Sequence, residues 1–262
     1  MKLTNLLGQI CSLSSSLYGL ATVRKAFDRR MMMDKLKTVI GIGMAVDVAG
    51  FVYALAIRPW HLRRGATDAE VRRSLPGDDL VPAPKCGYTQ AITIRASVSE
   101  VWPWLVQIGY KRAGWYSHDF LHRLTGIAGS VDDERGSAKR IIPELQDLKV
   151  GDVVEIAPGM GYEVVDIEPE QALILQSRID TVKWESLSSS DPLPEKYLIS
   201  SWVWILEEID EKTMRLIVRV RSDYNPGLLS TLSVGIPNEL GSLVMQPKTL
   251  RVLKQRAEMS VR

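Results

Sequence analysis

The chain has 262 residues, enough for one domain of ordinary size with an additional segment, or for two small domains. Its 33 lysines and arginines nearly balance its 31 aspartates and glutamates, so the concentrated basic field of a nucleic-acid groove is not expected. The two cysteines, Cys11 and Cys86, lie far apart and predict neither a disulfide framework nor a zinc site.

The N-terminal part contains a serine-rich uncharged stretch (3–23), a basic connector (24–37) and a strongly apolar stretch (39–57). At about 1.5 Å per residue, the apolar stretch approaches the roughly 30 Å thickness of a bilayer core. We therefore predict a membrane helix over 39–57, with a buried helix of a soluble protein as the alternative. Asp47 would have to be protonated or paired, because a carboxylate at mid-membrane costs about 3 kcal/mol. Whether 3–23 also spans stays open.

Small residues recur every four positions in this helix, at Gly41, Ala45 and Ala49. Such a stripe permits close approach of a second helix, and so a homodimer within the membrane. Cations are more frequent before the helix than after it, but the excess is too small to fix the side of the membrane. The expected location is membrane-associated, with 1–58 as a helical membrane segment.

The stretch 59–84 is interpreted as a linker that contains one short helix. Thr67 and Glu70 form a capping box that opens the helix, and Pro76 followed by Gly77 prevents it from continuing. A globular domain is then expected over 85–259.

The domain begins with a strand and a helix. Residues 90–94 alternate between apolar and polar side chains, which predicts a strand. Ser97 and Glu100 form a second capping box, which predicts that a helix follows at once. Another short helix is expected at 117–124.

The remainder predicts an antiparallel meander and a terminal helix. Trp202, Trp204 and Leu206 alternate onto one face of a strand. The terminal helix is expected from about Asn238, after a break at Pro237 and with a kink near Pro247. Short strands separated by Gly/Pro turns are predicted at 153–156, 162–167, 172–177, 200–207 and 214–222.

The run AITIRASVSEVWPWLVQIGYKRAGWYSHDFL (91–121) resembles the entry segment of the START-like, or polyketide cyclase/dehydrase-like (SRPBCC), superfamily. The lead-in RPW...RRGAT...LPGDDLVP is similar to that of its membrane-tethered bacterial members. The resemblance covers 85–259 and implies an α+β helix-grip fold, in which an antiparallel sheet wraps around a long C-terminal helix. It also implies an internal cavity that binds a hydrophobic small molecule such as a lipid, a sterol or a polyketide.

Large apolar side chains of the expected sheet and helices would lie near such a cavity. Aromatic residues also dominate ordinary cores, so simple packing is the favoured interpretation of each aromatic taken alone, and a place beside the cavity is what the resemblance implies. The predicted ligand-binding residues are Trp102, Trp115, Tyr116, Trp202, Trp204, Leu240 and Met245.

The alternative function is an enzyme of cyclase, dehydratase or hydrolase type that uses the same cavity. Its candidate proton-transfer residues are Tyr116, His118, Asp119, His122 and Glu144, which precede or border the expected opening. His118 and His122 share a helix face, but no third ligand has diagnostic spacing, so no metal is predicted. No nucleotide-binding motif predicts a cofactor.

Overall fold

The computed structural model describes residues 32–33, 35, 37–38, 40–41, 43–45, 47–124, 126–133, 136–225, 227 and 230–260. It divides into two compact units, Met1–Arg58 and Pro59–Arg262. The stretch 3–23 and most of the basic connector lie outside the described residues.

In the first unit the described residues from 32 to 52 are helical and exposed, and a π-helical turn, Tyr53–Ile57, follows them. Asp47 occupies an exposed position in this helical part. Within the described ranges, the structure contains no helix whose length and apolarity would let it cross a membrane.

The second unit is built on a sheet of seven antiparallel strands in the order β1-β7-β6-β4-β3-β2, with β5 paired to β4. Six of these strands are predicted from the sequence, by alternation or by the Gly/Pro turns between them, whereas β5 has two residues and is not predicted. The strands are β1 (Cys86–Ile94), β2 (Val153–Ala157), β3 (Met160–Glu168), β4 (Ala172–Asp180), β5 (Glu185–Ser186), β6 (Tyr197–Asp210) and β7 (Thr213–Tyr224).

Both predicted capping boxes are confirmed. The backbone N–H of Thr67 donates to Glu70 Oε2 over 2.6 Å, and that of Ser97 donates to Glu100 Oε2 over 2.8 Å. These contacts satisfy backbone donors that the first helical turn leaves unpaired. The α-helices are α1 (Arg58–Leu62), α2 (Asp68–Arg72), α3 (Val98–Val106), α4 (Asp119–Leu124), α5 (Ile236–Leu240) and α6 (Gln246–Ser260), and 3-10 turns form at Asp78–Leu80 and Pro143–Leu145.

The last two α-helices belong to one long helix, here named the terminal helix. Two π-turns, Thr231–Gly235 and Gly241–Met245, precede α5 and α6. Pro237 and Pro247 each follow a π-turn by two residues. A proline lacks the N–H donor and clashes with the carbonyl four residues back, and a wider turn accommodates both defects. The break expected at Pro237 therefore does not occur, and the helix begins before Thr231.

One face of the sheet packs against α3 and α6, and we call it the inner face. Trp202, Trp204 and Val218 share this face, as the alternation predicts, and belong to one continuous core with Leu250 and Leu253 of α6. The architecture is thus α+β, with an antiparallel sheet held against a C-terminal helix, and is consistent with the expected helix-grip arrangement.

The opposite, outer face is covered by the stretch expected to be a linker. Leu75 is buried and packs with Val203 and Ile217 of the outer face. Arg219 of β7 reaches across and donates to carbonyl groups at the C-terminal end of α2. Residues 59–84 are therefore part of the second compact unit and form an outer layer of it.

Candidate functional site

An open groove of about 860 Å³ lies where β6 begins and β7 ends, beside the first turns of the terminal helix. Its surface is mostly apolar, as in most sites for small molecules. The groove is lined by Thr181, Val182, Trp184, Lys196, Tyr197, Tyr224, Asn225, Gly227, Ser230, Leu232, Ser233 and Val234.

Three large apolar side chains in this groove remain exposed to solvent. The exposed fraction is 67% for Val182, 49% for Trp184 and 49% for Leu232. Single exposed apolar side chains are common, but a group of them in one concavity indicates a surface that can bind an apolar ligand. The groove is therefore the candidate ligand site.

The turn between β4 and β5 positions Trp184 at this groove. Its backbone N–H donates to Asp180 O over 2.8 Å, and its φ of 57° lies in the left-handed region. This conformation costs a bulky residue about 1–2 kcal/mol. The Asp180 carboxylate accepts from the N–H groups of Val182 and Lys183, and these hydrogen bonds lower the pKa of Asp180. The turn thus holds the Trp184 indole outside the core, although the left-handed φ of this residue costs free energy.

Two tyrosines form a wall of the groove. Tyr224 is 8% exposed, and its hydroxyl lies so close to Gly235 that a Cβ there would come within 3.2 Å of it. The Tyr197 hydroxyl donates to Asp223 Oδ2 over 2.9 Å, which raises the pKa of Tyr197. Asp223 also pairs with Lys85, so this wall is fixed by charged hydrogen bonds on its far side.

Hydroxyl groups line the inner face behind this wall. Ser177 lies opposite Ser200 across β4 and β6, and Ser200 lies opposite Ser222 across β6 and β7. The Oγ atoms of Ser200 and Ser222 are 2.8 Å apart. Tyr162 donates to Ser200 over 3.3 Å, and Asn238 of the terminal helix donates to Ser222 over 3.2 Å. Polar side chains of four strands and the terminal helix therefore meet inside the domain.

A second tyrosine extends this polar region. The Tyr88 hydroxyl donates to Gln246 Oε1 over 3.2 Å, and burial raises the pKa of both Tyr88 and Tyr162, so both phenols stay neutral. We name the polar band as the set Tyr88, Tyr162, Ser177, Ser200, Ser222, Asn238 and Gln246.

The predicted ligand-binding aromatics lie in the core. Trp202 is 8% exposed and Trp204 is fully buried, with ring centroids 5.1 Å apart. The ring of Trp115 lies 6.3 Å from that of Trp202, so the structure brings these three together. Trp102 packs against the same core and is half-buried.

The other predicted ligand-binding residues are spread out. Met245 is half-buried, and its backbone carbonyl accepts from Ser117 over 3.2 Å. Leu240 is 53% exposed on α5. Among the described residues that line the groove, none belongs to the predicted ligand-binding set.

Tyr116 and Asp119, both proton-transfer candidates, take part in a network of the framework. The Tyr116 hydroxyl accepts from Gln107 Nε2 over 2.5 Å, and burial raises the pKa of Tyr116 to about 12. Ser137 Oγ accepts from the Tyr116 backbone N–H over 2.9 Å and donates to Asp119 Oδ1 over 3.0 Å. These bonds secure the loop after α3, where Tyr116 adopts a φ of 52°.

The remaining candidates do not converge with them on one cavity. The buried His122 ring lies 6.0 Å from the ring of Trp115, and burial lowers the pKa of His122. His118 is half-buried, and Glu144 is exposed in the 3-10 turn Pro143–Leu145. In the described part of the chain no group of three or more His, Cys, Asp or Glu side chains is arranged to hold a metal ion.

The groove residues were not predicted from the sequence. Val182 and Trp184 stand singly in a polar turn, each next to Lys183 and without periodicity, so no strand or helix pattern points to them. The available signal was the large apolar side chain of Trp184 itself, beside Glu185 and Lys183 in a segment that should be solvated.

No protein-family model matches this chain, and neither does any curated protein. Among solved structures, a conserved protein from Geobacillus kaustophilus is 14% identical with a TM-score of 0.33, over 66% of this chain and 95% of that one. CalU16 from Micromonospora echinospora is 16% identical with a TM-score of 0.28, over 66% and 84%. The Zhui aromatase/cyclase from a Streptomyces species is 12% identical with a TM-score of 0.28, over 68% and 96%. At TM-scores this low, the similarities carry no argument about ligand or activity.

Proposed function

We propose that the second unit binds a hydrophobic small molecule in the groove beside the terminal helix. The observation that carries this proposal is the open, mostly apolar concavity of about 860 Å³ in which Val182, Trp184 and Leu232 remain exposed. A ligand that covers these side chains would remove apolar surface from water. This burial stabilises the complex by about 25 cal/mol per Å² of apolar area. A START-like domain that carries a lipid, a sterol or a polyketide would fit this description.

We favour binding over catalysis because the proton-transfer candidates lie elsewhere. Among the described residues of the groove lining, Tyr116, His118, Asp119, His122 and Glu144 are absent. Tyr116 and Asp119 are already engaged in the hydrogen bonds that hold their loop. General acid–base chemistry requires a group within hydrogen-bond reach of the reacting atom.

We also propose that the stretch 39–57 tethers the protein to a membrane. Its support is the sequence: an apolar stretch of bilayer length flanked by basic residues. The stripe of Gly41, Ala45 and Ala49 would allow two tethers to associate as a homodimer.

Binding can be tested by titrating the full chain with N-phenylnaphthylamine, whose fluorescence rises in apolar surroundings. The double variant Val182→Asp/Leu232→Asp places two carboxylates in the lining, where an apolar ligand would strip them of water. We expect a loss of affinity of about tenfold or more, which corresponds to about 1.4 kcal/mol. Both residues are exposed, so the fold should tolerate the changes.

The matched control is Val150→Asp, because Val150 is 60% exposed and does not line the groove. This control should leave the affinity unchanged. Equal affinity of the double variant and the control would overturn the proposal.

A further inference from the structure

Three buried polar atoms around the polar band have no hydrogen-bond partner in the described part of the chain. They are Ser177 Oγ, Trp202 Nε1 and Gln246 Nε2, in side chains that are 3%, 8% and 5% exposed. Each of these groups can donate a hydrogen bond, and Trp202 Nε1 and Gln246 Nε2 can only donate. Buried donors in folded proteins are nearly always paired with protein or with ordered water, so three near one another indicate that an acceptor from outside the chain, a ligand atom or a water, belongs there.

The strand register places these donors near one another. Ser177 is opposite Ser200, and Leu175 is opposite Trp202, so Ser177 and Trp202 are diagonal neighbours, about 7–8 Å apart. Gln246 approaches from α6, where its Oε1 atom already accepts from Tyr88. The Gln246 Nε2 group has no hydrogen-bond partner within the described part of the chain, and the helix that carries it packs against the inner face.

Two residues of the groove lining lie near Ser222 and Asn238 of the polar band. Tyr224, which lines the groove, is two residues beyond Ser222 on β7, about 7 Å along the strand. Val234, also in the lining, is one helical turn before Asn238, which donates to Ser222. A ligand that enters the groove and displaces Tyr224 from its contact with Gly235 would thus reach the polar band.

The polar band contains no charged side chain, and this restricts the ligands that can bind there. Its members are serines, tyrosines, an asparagine and a glutamine, so it offers no cation to a buried carboxylate. The lining cation, Lys196, is exposed on the groove surface. A carbonyl or hydroxyl oxygen would accept from the free donors without bringing a charge inside.

We infer that the polar band binds an uncharged oxygen of the ligand while the apolar part of the ligand occupies the groove. This inference rests on the proposed function and narrows it to neutral apolar molecules that carry a carbonyl or hydroxyl group. Hydrocarbons leave Ser177 and Trp202 unpaired, and carboxylates lack a counterion.

The test is competition against bound N-phenylnaphthylamine on the full chain. The competitors are methyl nonyl ketone, the alkene in which a methylene replaces its oxygen, undecanol and undecanoate. We expect the ketone and the alcohol to bind about tenfold more tightly than the alkene and the carboxylate, as one or two buried hydrogen bonds provide. In Ser177→Ala/Trp202→Phe, which removes two donors and keeps an aromatic ring at position 202, this preference should fall to about twofold or less.

Ser201→Ala is the matched control. Ser201 is fully buried and, like Ser177, has no hydrogen-bond partner among the residues that the structure describes, but it alternates onto the outer face, so its loss should leave the preference unchanged. Ser177→Ala alone provides a milder variant if the double change disturbs the fold. If the probe binds, equal affinities for the ketone and the alkene, or tighter binding of the carboxylate than of the ketone, would overturn the inference. Failure of the probe itself to bind would refute the proposed function instead.

Discussion

Replacement of Arg219 by methionine should loosen the layer that covers the outer face of the sheet. The Arg219 guanidinium donates to Asp78 Oδ2 over 2.6 Å and to Thr89 Oγ1 over 3.0 Å. It also donates to the carbonyls of Glu70 and Val71 over 2.7 and 3.1 Å, near the end of α2. Methionine keeps the apolar stem but removes every donor.

The size of the effect follows from the burial of the pair. The Arg219 and Asp78 side chains are 5% and 15% exposed. Removing one partner of a buried ion pair costs about 3–5 kcal/mol, because the other charge stays buried. Arg221 lies 3.5 Å from Asp78 and will compensate in part, so we expect the lower end of that range, about 3 kcal/mol.

Urea denaturation of the full chain measures this change in the free energy of unfolding. Arg72→Met, an exposed position on α2, is the control and should stay within about 0.5 kcal/mol of the parent. A loss below about 1 kcal/mol for Arg219→Met would refute the view that this guanidinium fastens the outer layer, since surface ion pairs contribute that much at most.

Two further predictions concern acid stability and the groove. The side-chain hydrogen bond from Arg215 lowers the pKa of Glu70 from 4.5 to about 2. Because the pKa of the folded state lies below that of the unfolded chain, Glu70 stabilises the fold above pH 4.5 and loses this contribution, at most about 3 kcal/mol, as the pH falls toward 2. Unfolding free energies measured along this pH range should fall less steeply for Glu70→Gln than for the parent; parallel profiles would contradict the assignment. Trp184→Gly should weaken N-phenylnaphthylamine binding several-fold without lowering the melting temperature, because glycine relieves the left-handed φ; a clear drop in melting temperature would show that the indole is structural.

The sequence predicts local structure well where a few neighbouring residues decide it. Each capping box needs only a pair of side chains three residues apart, and both the Thr67 and the Ser97 box form as expected. The faces of β6 follow from alternation, because successive strand residues point to opposite sides. Trp202 and Trp204 accordingly lie together on the inner face.

The parts that were missed depend on contacts distant in sequence or on unusual turns. A proline normally predicts a helix end, but the π-turns before Pro237 and Pro247 let the helix continue, and no residue pattern announces them. Leu75 is isolated among polar residues, and only the position of β6 and β7 shows what buries it.

The candidate site also depends on contacts between residues that are distant in sequence. The large aromatics that suggested a ligand pocket, Trp202 and Trp204, fill the core. The groove instead combines a turn, two strand ends and the start of the terminal helix, and residues such as Val182 and Leu232 acquire meaning only when these ends meet.

The central claim is that an apolar ligand occupies the groove. Photo-crosslinking tests it most directly, with a benzophenone-bearing long-chain ketone and peptide mapping of the full chain. The account predicts that labels concentrate on the segments 181–184 and 230–234 and that unlabelled methyl nonyl ketone competes them away. Labels that spare these segments and fall instead on the exposed Phe120 and Leu124 of α4, which are 61% and 69% exposed, would contradict it.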